Sequence, residues 1–411
     1  MEMDSLLNEL YSYSMHGIKL GLENIKTLCE SLGNPQNDYK IIHIAGTNGK
    51  GSTATTLATI LLEAGYNVGK YTSPHILKFN ERIRFNQNDI SDEEIVKYYE
   101  MVKKAIAETG VKPTFFEVTT AIMFKYFSDM KADYVVLETG MGGRFDATNV
   151  TDAKLCIITN VSFDHMEFLG DTIYKIACEK AGIIKKCKDV IIADSDPEFL
   201  KAIHEHILNP VNVLEKYKGY SYTLNFKEFT TDIKVNGEEY IFSLFGDYQV
   251  KNFLCAYEAA LKLGIDKEII KRAASKVVWQ CRFEKFEESP LVILDGAHNI
   301  DGMTELARII KQEYKPEDVV AIASILKDKK VEPMLKILRT IAGDIILTSL
   351  AENHRGLSGD EILNLVEDRD GFQVENDMVK AFEKAKAMKK RIIIVCGSFY
   401  TLAKFKEEVN E

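Results

Sequence analysis

Two successive α/β domains built on parallel sheets are the fold class that this sequence predicts, and three observations carry it. Short, nearly continuous apolar runs at 41–45, 68–72, 134–138, 155–159 and 190–193 alternate with helical patterns such as 93–108, 118–127 and 172–184. Strands apolar at every position need cover on both faces, which helices between parallel strands supply. The same rhythm restarts at 291–294, 319–323, 345–348 and 392–396, after a polar, proline-terminated stretch at 284–290. The third observation is length, since 411 residues exceed one usual core. The domains are therefore expected at 1–285 and 291–411, the second a smaller Rossmann-like α/β domain. Short runs around the turn Asn236-Gly237, within 220–244, predict a small antiparallel patch on the first domain, followed by a helix at 248–263.

Composition narrows the function classes. An apolar share of 46% with 28% charged residues is that of an ordinary globular protein. The net charge of −10 argues against general nucleic-acid binding and against docking on an anionic membrane. No N-terminal apolar stretch resembles a signal sequence, and no run approaches the ~20 residues that span a bilayer. The seven cysteines are scattered and without C-x-x-C spacing, so they read as reduced thiols in a cytoplasmic protein and not as zinc ligands. No large apolar stripe calls for a partner subunit, so a monomer is expected.

The run Gly46-Thr47-Asn48-Gly49-Lys50-Gly51-Ser52 directly follows the apolar segment 41–45. Glycines at a strand-to-helix junction let several N–H groups converge on one anion, at the positive end of the helix that follows. Lys50 reaches the outer phosphates, and a hydroxyl from Ser52 or Thr53 lies near bound magnesium. Gly51 departs from the spacing G-x-x-x-x-G-K-[ST]; a plain glycine turn is the competing account. The first domain is thus expected to be a P-loop-containing parallel-sheet ATPase domain with that antiparallel patch.

Other polar positions fall at strand ends, where open α/β sheets bind ligands. Glu138 ends the run 134–138 and is suited to magnesium, a hard cation that prefers oxygen ligands. Read alone, it is equally a surface acid. His165, just past 155–159, is a ligand or a hydrogen-bonded structural histidine. Ser73 offers a further oxygen or a turn hydroxyl before Pro74. Lys180 reads locally as a solvated helix-end lysine. Asp295-Gly296-Ala297-His298-Asn299 offers Asp295 and His298 to a ligand, or merely caps a helix. Arg282 reaches for a phosphate or makes a surface ion pair.

Taken together, several motifs make a resemblance. They are the glycine run at 46–52, Thr72-Ser73-Pro74-His75, Asn80-Glu81-Arg82-Ile83 and the stretch from Gly140-Met141-Gly142-Gly143-Arg144 to Phe145-Asp146-Ala147-Thr148-Asn149. Asp164-His165, Lys180-Ala181-Gly182-Ile183, Asp295-Gly296-Ala297-His298-Asn299 and Gly397-Ser398-Phe399-Tyr400 complete the set. Their order across nearly the whole chain resembles the folylpolyglutamate synthase/dihydrofolate synthase family of ATP-dependent Mur ligases. Related cell-wall ligases usually carry threonine where this chain has Gly51, which favours the folate branch.

The resemblance implies that Gly49, Lys50, Gly51 and Ser52 bind the triphosphate, with Asn252, Arg282, Asp295 and His298 completing the nucleotide site. It implies magnesium, at two sites, on Ser73, Glu138 and His165. Lys50, Lys180 and His165 carry the catalytic roles, with Lys180 carboxylated on its amine by carbon dioxide, which turns a cation into an anionic oxygen ligand. The pterin end of the substrate is expected near Thr114, Phe116, Phe145 and Asp146, where an aromatic ring is available for stacking. Two departures stand out: Trp279-Gln280-Cys281-Arg282 replaces the family's Trp-Pro-Gly/Ala-Arg, and Ile300 stands where proline often follows Ala-His-Asn.

The reaction implied is ligation of L-glutamate to a folate, to dihydropteroate, or to both. ATP phosphorylates the carboxylate, the amine of glutamate attacks the acyl phosphate, and phosphate leaves. Two domains closing over a cleft are expected to keep water from that intermediate. Two other readings remain at this point: a ligase of the same superfamily acting on a cell-wall UDP-linked precursor, and a nucleotide-switched P-loop binding protein without ligase chemistry.

Overall fold

A computed structural model of the chain describes residues 3–13, 21–353 and 355–409. The chain divides into two compact units, one made of Met1–Ser221, Ile233–Ile241 and Gln249–Val277, the other of Tyr222–Asp232, Phe242–Tyr248 and Val278–Glu411.

The first unit is built on an eight-stranded sheet. Its strands are β1 (Lys40–Ala45), β2 (Val68–Tyr71), β3 (Ile83–Phe85), β4 (Asn88–Asp89), β5 (Tyr134–Glu138), β6 (Leu155–Ile158), β7 (Val190–Ile192) and β8 (Val211–Asn212). The order is β4-β3-β2-β5-β1-β6-β7-β8. β2, β5, β1, β6, β7 and β8 pair in parallel, while β3 and β4 add an antiparallel edge. All five expected strands are present. The additions β3, β4 and β8 are short edge pieces, too brief and too polar to announce themselves by periodicity.

The helix Lys50–Glu63 packs on β1, β2 and β5 and against the helix Lys267–Ala274. Ten of its 14 residues are buried, including Ser52, Thr53, Thr55 and Thr56. Its inner hydroxyls bond back along the helix, Thr56 Oγ1 to Ser52 O at 2.8 Å and Thr59 Oγ1 to Thr55 O at 2.8 Å. Among the described residues no helix is long and apolar enough to cross a membrane.

Three further strands, β9 (Ser221–Asn225), β10 (Thr230–Val235) and β11 (Glu238–Phe242), form a separate sheet in the order β11-β10-β9. Asn236 and Gly237, at φ 51° and 80°, make the tight turn between β10 and β11. The patch was expected on the first domain. Residues 233–241 of it group with the first unit, and 222–232 and 242–248 with the second.

The second unit holds a six-stranded sheet of β12 (Glu284–Glu288), β13 (Leu291–Leu294), β14 (Val319–Ala323), β15 (Asp344–Leu347), β16 (Phe372–Val374) and β17 (Ile392–Cys396), ordered β12-β13-β17-β14-β15-β16. All neighbours are parallel except β12 and β13. The stretch 284–290, expected as a linker, is therefore strand β12 and its turn. Its charges misled: an edge strand tolerates Glu284, Lys285, Glu287 and Glu288 because one side is not paired. Val319, Ala321, Ile345, Ile392 and Ile394 form this unit's core with Met303, Leu306, Met334 and Leu335.

Candidate active site

The order β2-β5-β1-β6 sets four strand ends side by side at one edge of the first sheet. Ser73 follows β2, Glu138 ends β5, the glycine run follows β1, and His165 lies on the loop after β6. This is the carboxyl edge of a parallel sheet, where no strand continues and loops are free to bear ligands.

The glycine run is a formed loop. Gly49, at φ 83°, is the residue before the helix Lys50–Glu63. Thr53 N–H gives the first intrahelical hydrogen bond to Gly49 O, at 2.9 Å, so the N–H groups of Lys50, Gly51 and Ser52 open the helix without intrahelical partners. Five bonds to the β6 loop brace the turn, one of them from Thr47 Oγ1 to Ser162 O at 3.2 Å. Thr47 and Asn48 N–H donate to Asn160 O and Oδ1 at 3.0 and 2.9 Å. Ser162 N–H donates to Thr47 Oγ1 at 3.0 Å, and Thr159 Oγ1 donates to Asn48 O at 2.6 Å. The sequence reading missed these bracing residues; the only signal was polar side chains directly after an apolar strand.

Lys50 folds back over its own loop, Nζ donating to Gly46 O at 3.1 Å and Thr47 O at 3.2 Å. Two carbonyls are weak partners for an ammonium, and a triphosphate would outcompete them. Of the two candidate hydroxyls, Thr53 Oγ1 is buried and has no hydrogen-bond partner among the described residues. Asn252, buried on the helix Asp247–Lys262, lies directly against Gly49 and donates from Nδ2 to Gln249 Oε1 at 2.9 Å.

Glu138 is 4% exposed and accepts Ser73 N–H at 3.1 Å, so the structure brings these two expected metal-site residues together. His165, at φ 49°, opens the short helix Met166–Leu169 with an exposed side chain, its Nε2 3.9 Å from Asp164 Oδ2. No group of three His, Cys, Asp or Glu clusters as a metal site among the described residues. Ser73 and Glu138 offer the hard oxygen donors that magnesium prefers, and His165 would add a nitrogen.

Lys180 ends the helix Ile173–Ala181 and is only 3% exposed, which excludes the solvated helix-end reading. Burial, reinforced by the Lys50 cation and opposed by Asp164, pulls its amine down to about 7. A large share of this amine is therefore neutral near pH 7, the form that reacts with carbon dioxide.

The turn after β5 is pinned to that helix. Arg144 N–H donates to Glu179 O at 2.7 Å, and Asn149 Nδ2 donates to Gly182 O at 3.0 Å. The turn exposes Phe145, while the Phe116 ring covers Gly140. Thr114 and Asp146, expected beside the pterin, spend their polar atoms on their own segments. Thr114 Oγ1 caps the helix Phe115–Asp129 by accepting Glu117 N–H at 3.3 Å and donates to Glu117 Oε2 at 3.0 Å. Asp146 is buried and accepts Met141 and Thr148 N–H at 2.9 and 3.1 Å. Arg82 joins the 80–83 motif to the 72–75 motif: Nε donates to His75 Nδ1 at 2.8 Å, and its guanidinium lies 5.4 Å from the Phe115 ring. Burial and that guanidinium hold His75 down at about 3, so it stays a neutral acceptor.

In the second unit, Asp295 follows β13 and is buried, which raises its carboxyl above the usual range against the pull of Arg282. Phe283 and Ala297 N–H donate to it, each at 2.9 Å. The Arg282 guanidinium lies 4.5 Å from the Phe399 ring and 5.8 Å from the Trp279 ring. Cys281 and Phe283 flank it at φ 58° and 49°. The departure from Gly/Ala before Arg282 thus places cysteine in a left-handed conformation, held by Gly296 N–H to Cys281 O at 2.8 Å and Cys281 N–H to Glu284 Oε2 at 2.7 Å. His298 Nδ1 is 2.8 Å from Gly296 O, so this nitrogen carries the proton.

Known proteins share this architecture. The Mur ligase middle domain family model matches residues 44–260, and the Mur ligase glutamate ligase domain model matches residues 281–399. A Bacillus subtilis dihydrofolate synthase/folylpolyglutamate synthase is 36% identical, covering 96% of each chain. The Mycobacterium tuberculosis folylpolyglutamate synthase complexed with ADP and AMPPCP superposes with a TM-score of 0.91 at 26% identity, over 100% of this chain and 99% of that one. Escherichia coli FolC in complex with DHPP and ADP gives 0.88 at 28% identity, over 100% and 98%. On its phosphate loop, its strand-end motifs and these matches, the chain belongs to the folylpolyglutamate synthase/dihydrofolate synthase family of Mur ligases.

Proposed function

We propose that this protein is an ATP-dependent ligase that joins L-glutamate to the carboxylate of a folate or of dihydropteroate through an acyl phosphate. The observation that carries this reading is the braced loop at 46–52 with Glu138, Ser73 and buried Lys180 among the strand ends and helix that surround it.

A carboxylate is a poor electrophile because its charge repels nucleophiles and its leaving group is oxide. Transfer of the γ-phosphoryl group replaces that with phosphate. The N–H groups of Lys50, Gly51 and Ser52 hold the polyphosphate, and Lys50 Nζ leaves Gly46 O and Thr47 O to follow the charge on the transferred group. Ser73, Glu138 and His165 would hold magnesium, which when bound neutralises phosphate oxygens. Neutral Lys180 takes up carbon dioxide, losing one proton and becoming a carbamate. The glutamate amine then attacks the acyl carbon, and inorganic phosphate departs as the amide forms. Phe145 and Phe116 are proposed to contact the pterin, Asn252 to back the phosphate loop, and Arg282, Asp295 and His298 to serve the nucleotide. All seven cysteines are free thiols, which supports a reducing, cytoplasmic setting.

The deciding experiment is purified protein with ATP, magnesium and glutamate, offered tetrahydrofolate, dihydropteroate and a UDP-linked muramoyl acid in separate reactions. A glutamyl adduct of either pterin acid, with ADP released in equal amount, is expected. Ligation of the UDP-linked acid alone, or ATP hydrolysis indifferent to every acid, would overturn the reading.

A further inference from the structure

β1 is the central strand of the first sheet, and every residue of it but Lys40 is buried. One of those buried residues is a histidine. His43 is 0% exposed and sits opposite Leu137 of β5 and Cys156 of β6. Its Nε2 is 2.8 Å from Thr148 Oγ1, and its Nδ1 has no hydrogen-bond partner among the described residues. Burial and the Lys185 cation hold the ring down at about 3, so it is neutral wherever the enzyme works.

The proton positions follow from the next link. Thr148 Oγ1 is 2.5 Å from Asp146 Oδ1 and gives it its single proton. The Thr148 oxygen can then only accept from His43, which makes His43 the Nε2–H tautomer and leaves the Nδ1 lone pair bare. An apolar side chain in the middle of this sheet would avoid that bare lone pair. The imidazole is therefore explained by what the chain of hydrogen bonds holds at its other end. There, Asp146 accepts Thr148 N–H at 3.1 Å and Met141 N–H at 2.9 Å, shaping the turn that exposes Phe145.

We propose that His43 is a positioning residue for the acid substrate: through Thr148 and Asp146 it fixes the turn that presents Phe145 to the substrate's fused heteroaromatic ring. This rests on the folate–glutamate ligase reading. The relay begins in the strand that feeds the phosphate loop, yet among the described residues none of its hydrogen bonds goes to that loop. It therefore acts on the acid substrate and not on ATP.

The test is steady-state kinetics on the full chain with His43→Leu, His43→Gln, Thr148→Val and the double variant His43→Leu/Thr148→Val. His43→Leu is expected to raise KM for the pterin acid about tenfold while KM for ATP and kcat stay within about threefold. His43→Gln, which keeps an N–H donor, is expected to restore most of the loss. The double variant is expected to be no worse than either single one, as for two members of one relay. Equal changes in both KM values, no rescue by glutamine, or additive losses would overturn the proposal. Should His43→Leu fail to fold, Thr148→Val against Thr148→Ser carries the same comparison, with serine expected to retain the low KM. Absence of any pterin ligation by the unaltered protein would instead strike the ligase reading itself.

Discussion

Asn252 Oδ1 lies against Gly49 so closely that a methyl group at Gly49 would overlap it. Gly49 also holds φ 83°, a conformation that costs an L residue about 1–2 kcal/mol. Gly49→Ala therefore meets strain and collision at once, in the residue whose carbonyl starts the phosphate-loop helix. The expected result is a thermal midpoint several degrees lower and nucleotide affinity reduced at least tenfold, read by calorimetry and by titration with ADP. Asn252→Ala in the Gly49→Ala background removes the collision but not the strain, so only part of the stability should return.

Lys50 makes the opposite kind of prediction. Its two hydrogen bonds go to carbonyls of its own half-exposed loop, and such bonds contribute about 1 kcal/mol each at most. Lys50→Ala should leave the thermal midpoint of the ligand-free protein within about 2 °C and lower kcat by about 10²–10³. A large drop in the midpoint without ligand would make Lys50 a structural residue.

These two residues mark how much could be read from residues alone. The loop was legible because it needs glycines at fixed offsets between a continuous apolar strand and a helix, and few other structures need that. The central strands β1, β5 and β6 were legible because parallel strands are apolar on both faces. β12 was not, since an edge strand carries Glu284, Lys285 and Glu287 without penalty and reads as a linker. The braces Asn160 and Ser162 were hidden because their partners, Asn48 and Thr47, are more than a hundred residues away in sequence. Burial of Lys180 was equally invisible: a lysine near a helix end normally faces water, and only tertiary packing reverses that.

Lys180 gives a pH-dependent prediction. Its amine is lowered from 10.5 to about 7 by burial, so between those values the unfolded chain binds a proton that the folded chain does not. Stability should therefore rise with pH across about 7 to 10.5, and the cost is fully present below 7. The shift corresponds to a penalty on the order of 3–5 kcal/mol at acidic pH. In buffer stripped of carbon dioxide, Lys180→Met should be more stable than the unaltered protein at pH 7 and show a flatter stability profile up to pH 10. Bicarbonate should raise the midpoint of the unaltered protein alone. Ligation by Lys180→Met should be lost and partly restored by short carboxylates. A Lys180→Met variant that is both active and unaffected by bicarbonate would remove the carbamate from the scheme.

Arg282 is sandwiched by chemistry that lysine cannot copy. Its guanidinium carbon lies 4.5 Å from the centre of the Phe399 ring, Nη1 donates to Cys281 O at 3.0 Å, and its charge opposes the effect of burial on Asp295. A lysine ammonium offers a point charge without the delocalised guanidinium, so Arg282→Lys keeps the sign and weakens the cation–π contact, by about 1 kcal/mol at a partly buried site. Phe399→Leu removes the ring and keeps the arginine, and should lose a similar amount. If orientation is what matters, both variants reduce kcat/KM for ATP at least tenfold while leaving KM for glutamate nearly unchanged. If charge alone matters, Arg282→Lys and Phe399→Leu keep near-normal kcat/KM and only Arg282→Ala falls. The flanking left-handed residues Cys281 and Phe283 favour the first outcome, because a strained backbone on both sides of one side chain fixes its direction.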